Sequence, residues 1–249
     1  MESQTSNSPI DDARHTRPNL RFERGPLIAL ACVMALLAGF ALLLLAVQDG
    51  QAGRFDGALL TWLRDGADLS RPRAPGWVTA LFSEITHLGG TVTLTLATVV
   101  VIGLLLFERK DRAAMLVALS VAGGTFISTM TKLGVARPRP DLVPHLVEVT
   151  SPSFPSGHAM LSAVVYLTLG AMLAQFEFSR PATRVYVMTL AIALTLAIGF
   201  SRVFLGVHWP SDVLAGWCLG AAWAIVCLMV ARLLERRGAL RGDSPARVR

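Results

Sequence analysis

An all-α membrane bundle of six transmembrane helices, with an extracytoplasmic interfacial helical segment, is the fold class to which three features of this 249-residue chain point. Hydrophobic residues make up 53% of it and charged residues only 16%, against about 25% charged in an average soluble domain. The apolar residues gather into unbroken runs of about 20, the length that crosses a bilayer core as a helix. Basic residues cluster beside alternate ends of those runs, as they do where loops stay on the cytoplasmic side.

Taken in order, residues 1–25 are polar and rich in Ser, Asp, Arg and Pro, the composition of a disordered cytoplasmic tail and not of the short basic start of a cleaved signal peptide. The first apolar run is therefore expected to stay as an anchor. Ending each run at its first charge or turn cluster gives spans at Pro26 to Val47, Gly90 to Phe107, Ala113 to Val135, His158 to Phe176, Val185 to Leu205 and Pro210 to Leu234. They form one membrane domain over 26–235, followed by a basic cytoplasmic tail at 236–249. The second and fourth spans are short.

Arg14, Arg17, Arg21 and Arg24 precede the first span. Arg109, Lys110 and Arg112 lie between the second and third, Arg180 and Arg184 between the fourth and fifth, and Arg232, Arg236, Arg237 and Arg241 follow the sixth. With six spans all four groups fall on one side, which should be the cytoplasm, with both termini. The chain reads as an integral protein of a bacterial inner (plasma) membrane. The periplasmic side receives Gln48 to Gly89, Ala136 to Gly157 and the turn near Gly206 to Trp209. In the first of these, Phe55, Leu59, Leu60, Trp62 and Leu63 recur at helical spacing beside Arg54, Asp56, Arg64, Asp65 and Asp68. Such a helix either lies on the membrane surface or caps the spans. Trp77 to Leu88 is too short to span and is expected to be re-entrant or interfacial.

The net charge of +6 is accounted for by those cytoplasmic clusters, so nucleic acid is not an expected partner. Cys32, Cys218 and Cys227 sit inside apolar runs without CxxC pairing, which indicates neither a disulfide framework nor a thiolate metal site. The expected partners are membrane lipids, and nothing in the sequence specifies an oligomeric state.

Polar groups at the outer ends of the spans are where the sequence becomes specific, because charge near a bilayer core is costly. Lys132 ends the third span and is followed by Arg137-Pro138-Arg139-Pro140. Pro155-Ser156-Gly157-His158 opens the fourth. Ser201-Arg202 ends the fifth, with His208 and Asp212 at the start of the sixth. Gathered on one side, these cations would repel one another unless an anion sat among them. Lys132, Arg139 and Arg202 suit a phosphate clamp, and Ser156 and Gly157 begin a helix whose free N–H groups also favour an anion. Each has a plainer reading: Lys132 can snorkel, Ser156 can be an N-cap, Asp212 can favour a helix start, and His158 can be an interfacial polar residue. Arg137 reads as a second surface cation outside the core site.

Spacing favours the joint reading. His208 and Asp212 stand four apart across a helix start, so the carboxylate can fix the ring tautomer and leave the other nitrogen free to attack. His158, on another helix, could protonate a departing alkoxide.

Lys132-x6-Arg139-Pro140, Pro155-Ser156-Gly157-His158 and Ser201-Arg202-x5-His208-x3-Asp212 resemble the three ordered motifs of the type 2 phosphatidic acid phosphatase superfamily. The resemblance spans Lys132 to Asp212. It implies a six-helix membrane fold, His208 as the nucleophile of a phosphohistidine, Asp212 orienting it and His158 as acid to the leaving group. It further implies phosphate binding by Lys132, Arg139, Ser156, Gly157 and Arg202, with no metal or other cofactor. The expected activity is hydrolysis of a lipid phosphate or pyrophosphate, such as phosphatidic acid, phosphatidylglycerol phosphate or undecaprenyl pyrophosphate. Phosphotransfer to an alcohol, or a non-catalytic lipid-binding or transport protein, is the alternative. Headgroup choice is expected to lie with Gln48 to Gly89 and Asp141 to Thr150.

Overall fold

Hydrocarbon offers no water to backbone N–H and C=O groups, so an apolar run must close its hydrogen bonds internally. Each predicted run is helical in the computed structural model, which describes residues 24–174 and 179–236. Among the described residues eight helices follow one another: α1 (Arg24–Gln48), α2 (Ala52–Trp62), α3 (Gly76–Leu88), α4 (Thr91–Phe107), α5 (Asp111–Val135), α6 (Gly157–Met172), α7 (Pro181–Phe204) and α8 (Pro210–Arg236). The expected tails, apart from their inner edges, and Phe176 at the end of the predicted fourth span lie outside the described residues.

Among the described residues, four helices are long and apolar enough to cross a membrane: Gly25–Gln48, Asp111–Val135, Pro181–Phe204 and Pro210–Leu234. The pair α3 and α4, bent by 45° at Gly89 and Gly90, makes a fifth if it is one broken span. This differs from the six full spans expected. The shortfall is α6, whose 16 residues are fewer than the ~20 a span needs. Its N-terminus begins at Ser156, which is fully buried. Irregular chain from Ala136 to Pro155 leads into that N-terminus.

The centre of the bundle is α6, where Ala159, Met160, Ala163 and Val164 are fully buried. Helix α8 approaches it closely because Gly216 and Gly220 present no side chain: a Cβ on Gly216 would lie 2.8 Å from the Ser156 carbonyl oxygen, and one on Gly220 only 2.4 Å from that of Met160. Small residues four apart are a common device for bringing membrane helices together, where packing replaces the hydrophobic effect. Two tryptophans of α8 fix the flanks. Trp217 fills the space over Gly199 and donates to the Thr195 carbonyl at 3.1 Å, and Trp223 fills that over Gly123 and donates to the Ser120 carbonyl at 2.8 Å.

At the end of the bundle where α7 runs into α8, Leu60, Leu63, Val143, Phe204, Leu205, Val207 and Val213 form a small core. Of the two readings of the 52–63 helix, packing over the spans is the one observed: Asp56 and Leu60 of α2 are fully buried, while Phe55 and Trp62 on its other face are exposed. Arg64, just after α2, is buried too, and its Nη1 donates to the Phe204 carbonyl at 3.0 Å, a basic cap on the last turn of α7. The chain then turns through Gly206, with φ of +76°; a Cβ there would meet Arg64 Nη2 at 2.8 Å and Val143 at 2.9 Å. Only glycine suits that turn, for conformation and for space. Two residues later comes His208.

Candidate active site

Five elements deliver the polar residues to one place. Lys132 comes from the last turn of α5, Arg139 from the irregular 136–156 segment, Gly157 and His158 from the first turn of α6, Arg202 from the last turn of α7, and His208 from the turn before α8. All six line a single cavity of about 400 Å³, whose remaining wall includes Thr91, Leu94, Thr125, Thr129, Leu161 and Val165. One end is therefore cationic and hydrogen-bonding, and the other is an apolar and hydroxyl-bearing slot between α4, α5 and α6.

Several cations are braced by carbonyl oxygens. Lys132 Nζ donates to the Pro152 carbonyl at 2.7 Å. Arg139 donates from Nε to the Ser151 carbonyl at 2.8 Å and from Nη1 to that of Val207 at 2.6 Å, with Nη1 also 3.3 Å from His208 Nε2. Arg202 Nη1 donates to Thr86 Oγ1 at 2.8 Å, a partner supplied by α3, while its buried Nε has none. A buried orphan donor on a cation is costly, and a phosphate oxygen in the cavity would satisfy it.

Ser156 and Asp212 do not line the cavity; they stand behind its wall. Ser156 is the N-cap of α6, its Oγ accepting from the Ala159 N–H at 3.4 Å, and its own N–H donates to the Asp212 carbonyl at 3.0 Å. Asp212, in the first turn of α8, reaches back to accept the Trp209 N–H on Oδ2 at 3.0 Å, a carboxylate cap on that helix. The same Oδ2 accepts from Ser153 Oγ and lies 3.4 Å from His208 Nδ1. The plainer capping readings of both residues thus hold, for Asp212 alongside its place beside the histidine.

His208 is 2% exposed. Burial pushes its imidazole down to about 4, against the opposing pull of the Asp212 hydrogen bond and charge. It is therefore neutral at pH 7. With acceptors at Nδ1 and the Arg139 guanidinium at Nε2, the hydrogen-bond network assigns the ring proton to Nδ1 and the lone pair to Nε2, on the cavity side.

Four participants, Arg137, Asp56, Ser153 and Thr86, were not placed in the site by the sequence reading. Arg137, expected outside the core site, is a correction: Nη1 donates to Asp212 Oδ1 at 2.6 Å and Nη2 to Asp56 Oδ2 at 2.8 Å. An arginine between Ala136 and Pro138 carries in its sequence no sign of a buried carboxylate partner; that partner is brought by packing. Asp56 is one carboxylate among several in an amphipathic helix. Ser153 and Thr86 are single hydroxyls, and only their contacts with Asp212 and Arg202 mark them.

Residues 113–235 match the PAP2 superfamily. Phosphatidylglycerophosphatase B of Bacillus subtilis (strain 168) is 37% identical over 147 residues, which cover 58% of this chain and 70% of that protein. The chain belongs to the PAP2 superfamily. The undecaprenyl-diphosphatase of Sulfolobus acidocaldarius is 29% identical over 123 residues, covering 47% of this chain and 55% of that protein. The crystal structure of the first transmembrane PAP2 type phosphatidylglycerolphosphate phosphatase from Bacillus subtilis superposes with a TM-score of 0.72 at 27% identity, over 82% of this chain and 98% of that one. Together with four apolar helices of spanning length, these likenesses make this PAP2 chain an integral membrane protein. Asp56, Arg64 and Thr86, which brace Arg137, the end of α7 and Arg202, all lie outside the matched 113–235.

Proposed function

We propose that this PAP2 protein hydrolyses the phosphate monoester or pyrophosphate of a membrane lipid through a phosphohistidine on His208. The observation that carries the reading is a neutral, buried histidine whose unprotonated Nε2 faces a cavity ringed by Lys132, Arg139 and Arg202, with a carboxylate at its other nitrogen. The lipid phosphate enters that cationic end, its chain following the apolar slot between α4, α5 and α6. Arg139, Arg202, Lys132 and the N–H groups at the start of α6 take its oxygens.

His208 Nε2 attacks phosphorus, and the bond to the leaving oxygen breaks with its electron pair. The bound phosphate supplies the negative charge that lets His158 hold a proton, and His158 passes that proton to the leaving oxygen. Water then attacks the phosphohistidine, His158 taking its proton, and inorganic phosphate leaves. Asp212 keeps the ring oriented, and the clamp stabilises charge on the equatorial oxygens. No metal is needed for this sequence of steps, and three cations in the cavity oppose the entry of another.

The test is phosphate release by the purified protein from phosphatidic acid, phosphatidylglycerol phosphate and undecaprenyl pyrophosphate, each with EDTA present. Release from at least one, unchanged by EDTA, is expected. No release from any of the three would overturn the lipid phosphatase reading, and inhibition by EDTA the metal-free one.

In the membrane we propose six crossings, with α3–α4 as one and α6 completing the set, both termini in the cytoplasm and the cavity at the periplasmic face. The support is the placement of Arg109, Lys110, Arg112, Arg180 and Arg184 at the opposite end of the bundle from His208. A cysteine placed at Asp141 should react in intact cells with a membrane-impermeant maleimide. Protection there, with labelling only after lysis, would reverse the orientation.

A further inference from the structure

Asp56 belongs to α2, more than 70 residues before the first motif, yet its carboxylate is fully buried at the foot of α8. Oδ1 accepts the Ser211 N–H at 2.8 Å; Oδ2 accepts the Ser211 hydroxyl at 2.6 Å and Arg137 Nη2 at 2.8 Å. Arg137 spans the gap to the second carboxylate, with Nη1 at 2.6 Å from Asp212 Oδ1 and 2.7 Å from Ser211 Oγ, and its guanidinium lies 5.3 Å over the Trp209 ring. Asp212 then turns its other oxygen, Oδ2, to His208 Nδ1.

Charge is what makes this arrangement more than a helix cap. Two carboxylates and one guanidinium leave one net negative charge behind the imidazole. Arg137 alone would hold Asp212 rigidly but cancel it; Asp212 alone would keep its charge but lose its strongest fixed partner. When Nε2 bonds to phosphorus, the ring, still carrying its Nδ1 proton, becomes a cation, and a residual negative charge a few ångströms away stabilises it.

We propose that Asp56 and Arg137 are positioning residues of the phosphoryl-transfer site: Arg137 fixes Asp212, and Asp56 offsets the guanidinium so that one negative charge remains behind His208. The inference rests on His208 being the nucleophile. The other charged or titratable groups facing His208 are Arg139 from the 136–156 segment, Arg202 from α7 and His158 from α6, with Lys132 of α5 beyond them; all stay the same in the variants below.

The experiment uses the full chain in detergent and three variants: Asp56→Asn, Arg137→Gln and the two combined. The net charges behind the ring become zero, minus two and, in the double variant, minus one as in the natural protein. Protonation of His208 is followed by NMR of its Cε1–H, assigned by its absence in His208→Ala, and phosphorylation is timed in single turnover. Asp56→Asn should titrate lower and Arg137→Gln higher than the natural protein, each by roughly one pH unit. The double variant should return close to the starting value. Phosphorylation of Asp56→Asn should slow about tenfold, the effect of a ~1.4 kcal/mol loss of transition-state stabilisation.

A merely structural role would lower melting temperatures without moving the titrations in opposite directions; shifts of the same sign, or none, would overturn the proposal. If a single variant does not fold, the double variant decides by itself, since a titration well away from that of the natural protein is incompatible with charge balance. A natural protein that forms no phosphohistidine would overturn the nucleophile reading as well, whereas one that forms it with unmoved titrations would overturn this inference only.

Discussion

His208→Ala is expected to lower phosphate release by at least about 10⁴-fold and to abolish acid-labile radiolabel on the protein after a brief pulse of labelled lipid phosphate. The size follows from losing the attacking atom itself, with only the cationic clamp left to favour reaction with water. His158→Ala should separate the two halves of the reaction. For a lipid alkoxide, a poor leaving group, loss of the general acid should cost about 10²–10⁴-fold. For an aryl phosphate whose phenolate departs without a proton, label should still form at a rate within about tenfold of the natural protein's. Residual turnover in His208→Ala comparable with the natural protein, or equal losses on both substrates in His158→Ala, would contradict the assigned roles.

The second large effect is expected at a residue that touches no substrate. Gly220→Leu would put a Cβ 2.4 Å from the Met160 carbonyl oxygen. The obstacle is backbone in a buried helix, which cannot rotate away, so α6 and α8 must separate. Overpacking of this kind costs about 3 kcal/mol or more where nothing can yield. Those two helices carry His158 and Asp212, so activity should fall together with the melting temperature. Gly103→Leu is the control, because a Cβ on Gly103 of α4 meets nothing within 4 Å. Both quantities should be unchanged there, and an equal loss at Gly103 would refute the packing argument.

The motif residues were legible because their chemistry and their order along the chain are local properties. The spacing His208-x3-Asp212 needs only a helix start to bring ring and carboxylate together, and Pro155-Ser156-Gly157-His158 needs only an N-cap; the structure contains both. Helices were legible for the same reason, since each apolar run closes its own hydrogen bonds. What was not legible depends on packing between distant segments. Asp56 and Arg137 are 81 residues apart, Arg64 and Phe204 140, and no periodicity in either partner reveals the other. The fourth run, read as His158 to Phe176 and already short for a span, is a helix over Gly157–Met172, and Phe176 lies outside the described residues.

One contact described above bears on when the histidine is available. Arg139 Nη1 lies 3.3 Å from His208 Nε2 while also bonded to the Val207 carbonyl at 2.6 Å. If His208 is the nucleophile, its lone pair is engaged by the same guanidinium that would receive the phosphate. On that reading the arginine is a guard that the substrate itself would lift: phosphate oxygens drawing Arg139 toward themselves would release the nitrogen that attacks. An adventitious electrophile without a phosphate to offer the arginine has no means of lifting that guard, so chemical selectivity is exercised before any bond is made.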